Sequence, residues 1–203
     1  MPNWCDNALF LTYERDNKKQ VRYIEKIIKG LNKKRPVLLN TLYPMPKHDP
    51  NPNSPTKFLR PKVGIGKYEQ ELFGDANWYD WSISNWGTKW EADINDYQLD
   101  INGNTGKLYI YFQSAWSPPT NALINSRLEE LGISYQLLYL ETGMNYWGEC
   151  LDGFDNSHEV MFPENFDFKN DTKIYEYLKE YANDCDIDNK IVDVFDMSGI
   201  YLQ

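Results

Sequence analysis

A chain of 203 residues, 41% hydrophobic and 15% aromatic, has enough apolar material for one core, which excludes a disordered polymer despite a mean hydropathy of −0.66. No apolar run approaches the roughly 18 residues of a membrane span, and the opening Met1-Pro-Asn-Trp-Cys-Asp lacks a basic stretch followed by an apolar one, so neither membrane insertion nor export is expected. The net charge of −9 is uneven: from Glu149 onward there are 14 acidic and 4 basic side chains, whereas the first 148 residues carry about +1, which argues against a general basic nucleic-acid face.

Asn7 to Tyr13 is a short apolar run rich in aromatics and reads as a first strand. Asp16 or Asn17 is placed to cap a helix reaching Leu31, with Val21, Ile24, Ile27, Ile28 and Leu31 at core spacing. Its other side carries Arg15, Lys18, Lys19, Arg22, Lys26, Lys29 and Lys33, a solvated face or a stripe for phosphates. Pro36 to Pro61 reads as a long loop or inserted arm, because six prolines lie between Pro44 and Pro61. Val63-Gly-Ile-Gly-Lys67 lacks the remaining glycine and the Gly-Lys-Ser/Thr end of a phosphate loop. One or two short helices are expected between Tyr68 and Ser84.

Trp78 to Trp90 concentrates four of the seven tryptophans. Trp78 and Trp81 are spaced as on one helix face, and Asn85-Trp86-Gly87-Thr88 reads as the turn after it. A second strand lies within 92–101, alternating at Tyr97, Leu99 and Ile101. Asn102-Gly-Asn-Thr-Gly106 is a hairpin turn, and Leu108 to Phe112 a central third strand. Ser117-Pro-Pro opens a helix in a favoured manner, Leu123, Ile124, Leu128 and Leu131 face the core, and Gly132 ends it. Tyr135 to Leu140 is a fourth strand, and Glu141 to Glu149 a tight turn into a further short one. Beyond it, Lys173 to Asn183 has helical spacing and Ile191 to Phe195 is strand-like.

This order predicts an α+β fold, a ferredoxin-like split β-α-β-β-α-β sandwich with two helices on one face of an antiparallel sheet. Residues 1–150 form that domain, 36–90 are an insert, and 151–203 are an acidic α/β extension packed on it. Four motifs in order, Met-Pro-Asn-Trp-Cys-x-Asn (Met1 to Asn7), Asn-Trp-Gly-Thr-Lys-Trp (Asn85 to Trp90), Ala-Trp-Ser-Pro-Pro (Ala115 to Pro119) and Tyr-x-Glu-x-Gly (Tyr139 to Gly143), resemble the YubB-type ferredoxin-like family. That family is carried by phages, plasmids and related elements. The resemblance implies the fold and a mobile-element origin, and it supplies no activity.

Residues fit for catalysis are sparse. His48 and His158 stand in no metal or triad spacing, and neither Ser114 nor Ser117 lies in a nucleophile elbow. Cys5, Cys150 and Cys185 are an odd number without a Cys-x-x-Cys pair, as in a reducing cytoplasm. Cys5, between Trp4 and Asp6, reads as a small buried residue. Zinc lacks soft ligands. Asp184, Asp186 and Asp188 begin like a calcium loop, but Phe195 occupies the position that needs a bidentate Glu. No cofactor is expected.

The remaining constellation is aromatic and polar. Trp4, Trp86, Trp90, Trp116 and Trp147 fall at strand ends or in turns beside them, with Asn3, Asn85, Lys89, Ser117 and Glu141 among them. Two readings stand: a core corner in which the indoles simply pack, or a pocket wall of apolar faces with convergent donors. In the second, the ligand-binding set is Asn85, Trp86, Thr88, Lys89, Trp90, Trp116, Ser117, Glu141 and Trp147. The function expected first is a non-enzymatic binding protein of a phage or other mobile element, acting in the host cytoplasm. Its partner would be a nucleotide-like small molecule or a host protein, in antagonism of host defence. A single-strand nucleic-acid binder comes second and an enzyme third.

Overall fold

In a computed structural model of the chain, residues 3–45 and 78–159, together with Glu176, are described. The His48 loop, the Val63 to Lys67 glycines, the calcium-like aspartates, Cys185 and the 173–183 and 191–195 elements all lie outside those residues.

The described residues form an α+β structure whose centre is a six-stranded antiparallel sheet in the order β2-β3-β1-β4-β5-β6. The strands are β1 (Trp4–Glu14), β2 (Asp93–Asn102), β3 (Thr105–Ala115), β4 (Ser134–Glu141), β5 (Tyr146–Leu151) and β6 (Phe154–Glu159). Alternation sends Leu9 and Leu11 of β1, Leu108 and Ile110 of β3 and Leu137 of β4 to one face, where cross-strand neighbours pack side by side. Helix α1 (Lys18–Leu31) covers that face with Tyr23, Ile24, Ile27 and Leu31. Its first turn is capped by Asn17, whose side chain accepts from the amides of Lys19 and Gln20. The opposite face is buried as well, at Ala8, Tyr111, Leu138, Leu140 and Trp147.

Several local expectations are corrected. The Pro36 segment is not all loop: Leu39–Leu42 form a helical turn, α2, and Leu38, Leu39 and Leu42 enter the core. Glu91 sets this turn, accepting from the amides of Leu38, Leu39 and Asn40 at 3.0, 2.6 and 3.0 Å. Helix α3 spans Trp78–Trp86, so Asn85 and Trp86 belong to its last turn and the reversal starts at Gly87, at φ 85°. The helix expected from Ser117 begins instead at Thr120 and is two pieces, α4 (Thr120–Ile124) and α5 (Leu128–Leu131). Between them the Ser126 hydroxyl donates to the Leu123 carbonyl and accepts from the Leu128 amide, diverting backbone groups that would have continued the helix. Ile124 consequently points outward, 45% exposed. The strand expected within 92–101 is the edge strand β2, on which Leu99 and Ile101 are exposed. Strand β6 was not anticipated; it follows the Asp152-Gly153 turn, where both residues have positive φ, and pairs along β5.

Candidate functional site

The site lies where α3 and the end of β3 meet. Thr88 and Ser117 lace the two turns together: the Thr88 hydroxyl donates to the Ala115 carbonyl at 2.8 Å, and the Ser117 hydroxyl donates to the Gly87 carbonyl at 2.5 Å. Behind them the Asn7 amide donates to the Ser114 hydroxyl, which donates to the Ser117 carbonyl. The side-chain amides of Asn121 and Asn125 reach the Ser84 and Asn85 carbonyls, which lie among the open acceptors at the end of α3. The Trp116 amide donates to the Asn3 carbonyl, and the Tyr146 hydroxyl donates to the Trp116 carbonyl. This scaffold holds Trp116 at φ 75°, a backbone conformation that bulky residues rarely adopt.

Two of the four tryptophans in the 78–90 stretch belong to the packing. Trp81 stacks on Tyr43 and meets Trp86 edge to face, and the Trp86 indole donates to the Tyr43 carbonyl at 2.8 Å. Trp86 is buried, Thr88 is wholly so, and the Asn85 amide turns back to the Trp81 carbonyl. The Trp78 side chain is not among those described.

Lys89 and Trp90 do something else. The Lys89 ammonium lies 4.4 Å from the centre of the Trp116 ring, 4.6 Å from Trp90 and 5.6 Å from Tyr79. Trp4 continues the row beyond Trp90 at 6.2 Å, and Tyr79 meets Trp116 edge to face at 6.2 Å. Trp4, Trp90 and Trp116 are each more than a third exposed, so four aromatic rings form an open surface threaded by one cation. Among the described residues Lys89 has no carboxylate partner; the ion pair present there joins Arg127 to Glu130. A cleft of about 360 Å³ opens beside the row, lined by Tyr79, Asp80, Ile83, Ser84, Trp116 and Ser117.

The other expected members stand apart. Glu141 is buried and organises the turn after β4, accepting from the Gly143 amide at 3.1 Å and from the Met144 amide. Burial, with a smaller contribution from Asp6, raises its carboxyl above the ordinary range against those two donors. Trp147 sits opposite Leu140 on the sheet face turned away from Tyr139, and its neighbour Tyr146 reaches the site instead. Cys5 is fully buried, as its setting suggests. Burial first, then Asp6 and Glu141, push its thiol well above its usual value, a setting that disfavours a thiolate nucleophile. Among the described residues no three His, Cys, Asp or Glu side chains gather as metal ligands, and no helix is long and apolar enough to cross a membrane.

Tyr79, Tyr139, Tyr146 and Asp155 were not anticipated here. Tyr79 could have been found from its place inside the tryptophan-rich stretch. The others are joined to the site only by contacts distant in sequence.

No family model and no curated protein matches the sequence. A solved structure of a protein api92 from Yersinia pseudotuberculosis, of family DUF1281, is similar at 12% identity with a TM-score of 0.40, covering 80% of this chain and 99% of that one. So remote a likeness transfers neither fold detail nor role.

Proposed function

We propose that this chain is a non-enzymatic binding protein whose aromatic row and Lys89 take a planar, anionic, nucleotide-like ligand. The observation that carries this is an ammonium held over exposed ring faces with no carboxylate partner among the described residues. An indole face is electron-rich and by itself repels anions. A cation lying on it reverses that sign, so the surface can stack a base while Lys89 meets a phosphate. The row of Trp4, Trp90, Trp116 and Tyr79 favours a second reading, a single nucleic-acid strand with successive bases on successive rings. The strand order β2-β3-β1-β4, with helices after β1 and β3, supports the ferredoxin-like plan. Resemblance to YubB-type proteins supports a mobile-element setting in a host cytoplasm, where sequestering a nucleotide-like signal would antagonise defence.

Titrating the protein with mononucleotides and with short oligonucleotides while following tryptophan fluorescence tests this. Lys89→Ala is expected to weaken binding by about tenfold or more while changing stability by no more than about 1 kcal/mol. Undiminished binding by that variant, or no quenching by any nucleotide or oligonucleotide at low salt, removes the proposal. Affinity that grows with strand length and falls steeply with salt selects the second reading.

A further inference from the structure

The cleft beside the aromatic row does not end at Ser117. Ile83 and Ser117 also line a second cleft of about 470 Å³, whose floor is made by Gly87, Thr120, Asn121, Tyr139, Tyr146 and Asp155. Cavities of roughly 300–1,000 Å³ are the size that encloses small molecules. An aspartate lines each cleft, Asp80 the first and Asp155 the second, and the two differ in what stands beside them. Beside the first, the Lys89 ammonium lies 4.4 Å from the ring centre of Trp116, a lining residue, although Lys89 itself is not in the lining. At the second, among the described residues, no lysine or arginine lines the wall and none lies over a lining ring.

Acceptors gather there instead. The Tyr139 hydroxyl donates to one carboxylate oxygen of Asp155 at 2.7 Å, which fixes the carboxylate, and among the described residues the other oxygen has no hydrogen-bond donor. The Asn121 amide nitrogen gives one of its two hydrogens to the Ser84 carbonyl, and its oxygen is a further acceptor. Thr120 is a buried residue whose hydroxyl has no hydrogen bond among the described residues. Gly148 keeps Tyr139 in place: a Cβ there would collide with the phenol ring and its hydroxyl. A wall of oriented acceptors without a cation selects a group rich in N–H donors.

We infer that this second cleft reads the edge of a nucleobase bearing an exocyclic amine, with Asp155 accepting from that amine while Lys89 holds the phosphate. The inference rests on the nucleotide reading above and adds the base class and the residue that selects it. Discrimination comes from a fixed carboxylate oxygen, because a base with a carbonyl in place of the amine would set acceptor against acceptor.

Calorimetric titration of the full chain with AMP against IMP, and CMP against UMP, tests it. In at least one pair the amine-bearing base is expected to bind about tenfold or more tightly. Asp155→Asn is expected to erase that preference at an unchanged melting temperature, and Lys89→Ala to weaken both members of the pair equally. Equal affinity within both pairs overturns the inference and leaves the nucleotide reading standing, as does a preference that survives Asp155→Asn. Absence of binding by all four removes the nucleotide reading and this inference with it.

Discussion

At the scale of single residues, tryptophans that look alike in the sequence have opposite roles. Trp86 is buried against Trp81 and donates its indole hydrogen to Tyr43, whereas Trp90 is 37% exposed beneath Lys89. Trp86→Ala should cost about 3–5 kcal/mol, the range for a buried aromatic, and Trp90→Ala less than about 1 kcal/mol. Chemical denaturation of the two variants measures this, and equal losses would show that both are core. The concentration of indoles and the presence of Lys89 among them were legible in the sequence. Which ring faces solvent was not, because that depends on where α3 ends, and Gly87 places that end later than residue spacing suggests. Asp155 was illegible for another reason: Tyr139, its partner, lies 16 residues away and meets it only across β5.

At the scale of elements, local rules sufficed where periodicity and caps agreed. Helix α1 has its Asn17 cap and core stripe, and β1, β3 and β4 their apolar runs, so all four were readable. They failed where a distant group decides. Helix α2 is four residues long and follows a proline; it persists because Glu91, more than fifty residues away in sequence, accepts three of its first amides. Burial outweighs these amide donors and raises the Glu91 carboxyl above its ordinary value. Glu91→Ala leaves those donors without their acceptor and should cost about 2 kcal/mol, with Glu91→Gln costing less because one oxygen remains. An unchanged denaturation midpoint in Glu91→Ala would show that water replaces the carboxylate without loss. Strand β6 was missed because Asp155, Asn156 and Ser157 are polar and do not alternate; only its pairing with β5 makes it a strand.

At the scale of the whole molecule, burial of neutral acids in and beside the sheet determines the response to alkali. The Cys150 thiol is raised from near 9 to about 11, chiefly by burial and next by Asp155. Burial, with Tyr109 and Asp96, raises the Tyr111 hydroxyl from near 10 to about 12. Each folded value exceeds the unfolded one, so the native state binds protons more tightly and this stability is complete below the unfolded value. It is then lost as the pH rises through the folded one. The free energy of unfolding should therefore decline from about pH 9 to about pH 12. Urea titrations at intervals across that range measure the slope, and a flat profile would mean that these groups are already solvated in the native state.

The left-handed backbone at Trp116 bears on how this protein could be improved or worn down. A residue with a side chain in that conformation is held there at a cost of about 1–2 kcal/mol, which glycine does not incur. Trp116→Gly should thus be more stable than Trp116→Ala by about 1 kcal/mol, although both remove the same indole from the aromatic row. A screen that rewards thermal stability alone would favour the glycine, and a screen for ligand capture would reject it. If the indole is the reason the strain persists, robustness and activity are in opposition at this position, and mutants recovered under the two pressures should diverge there first.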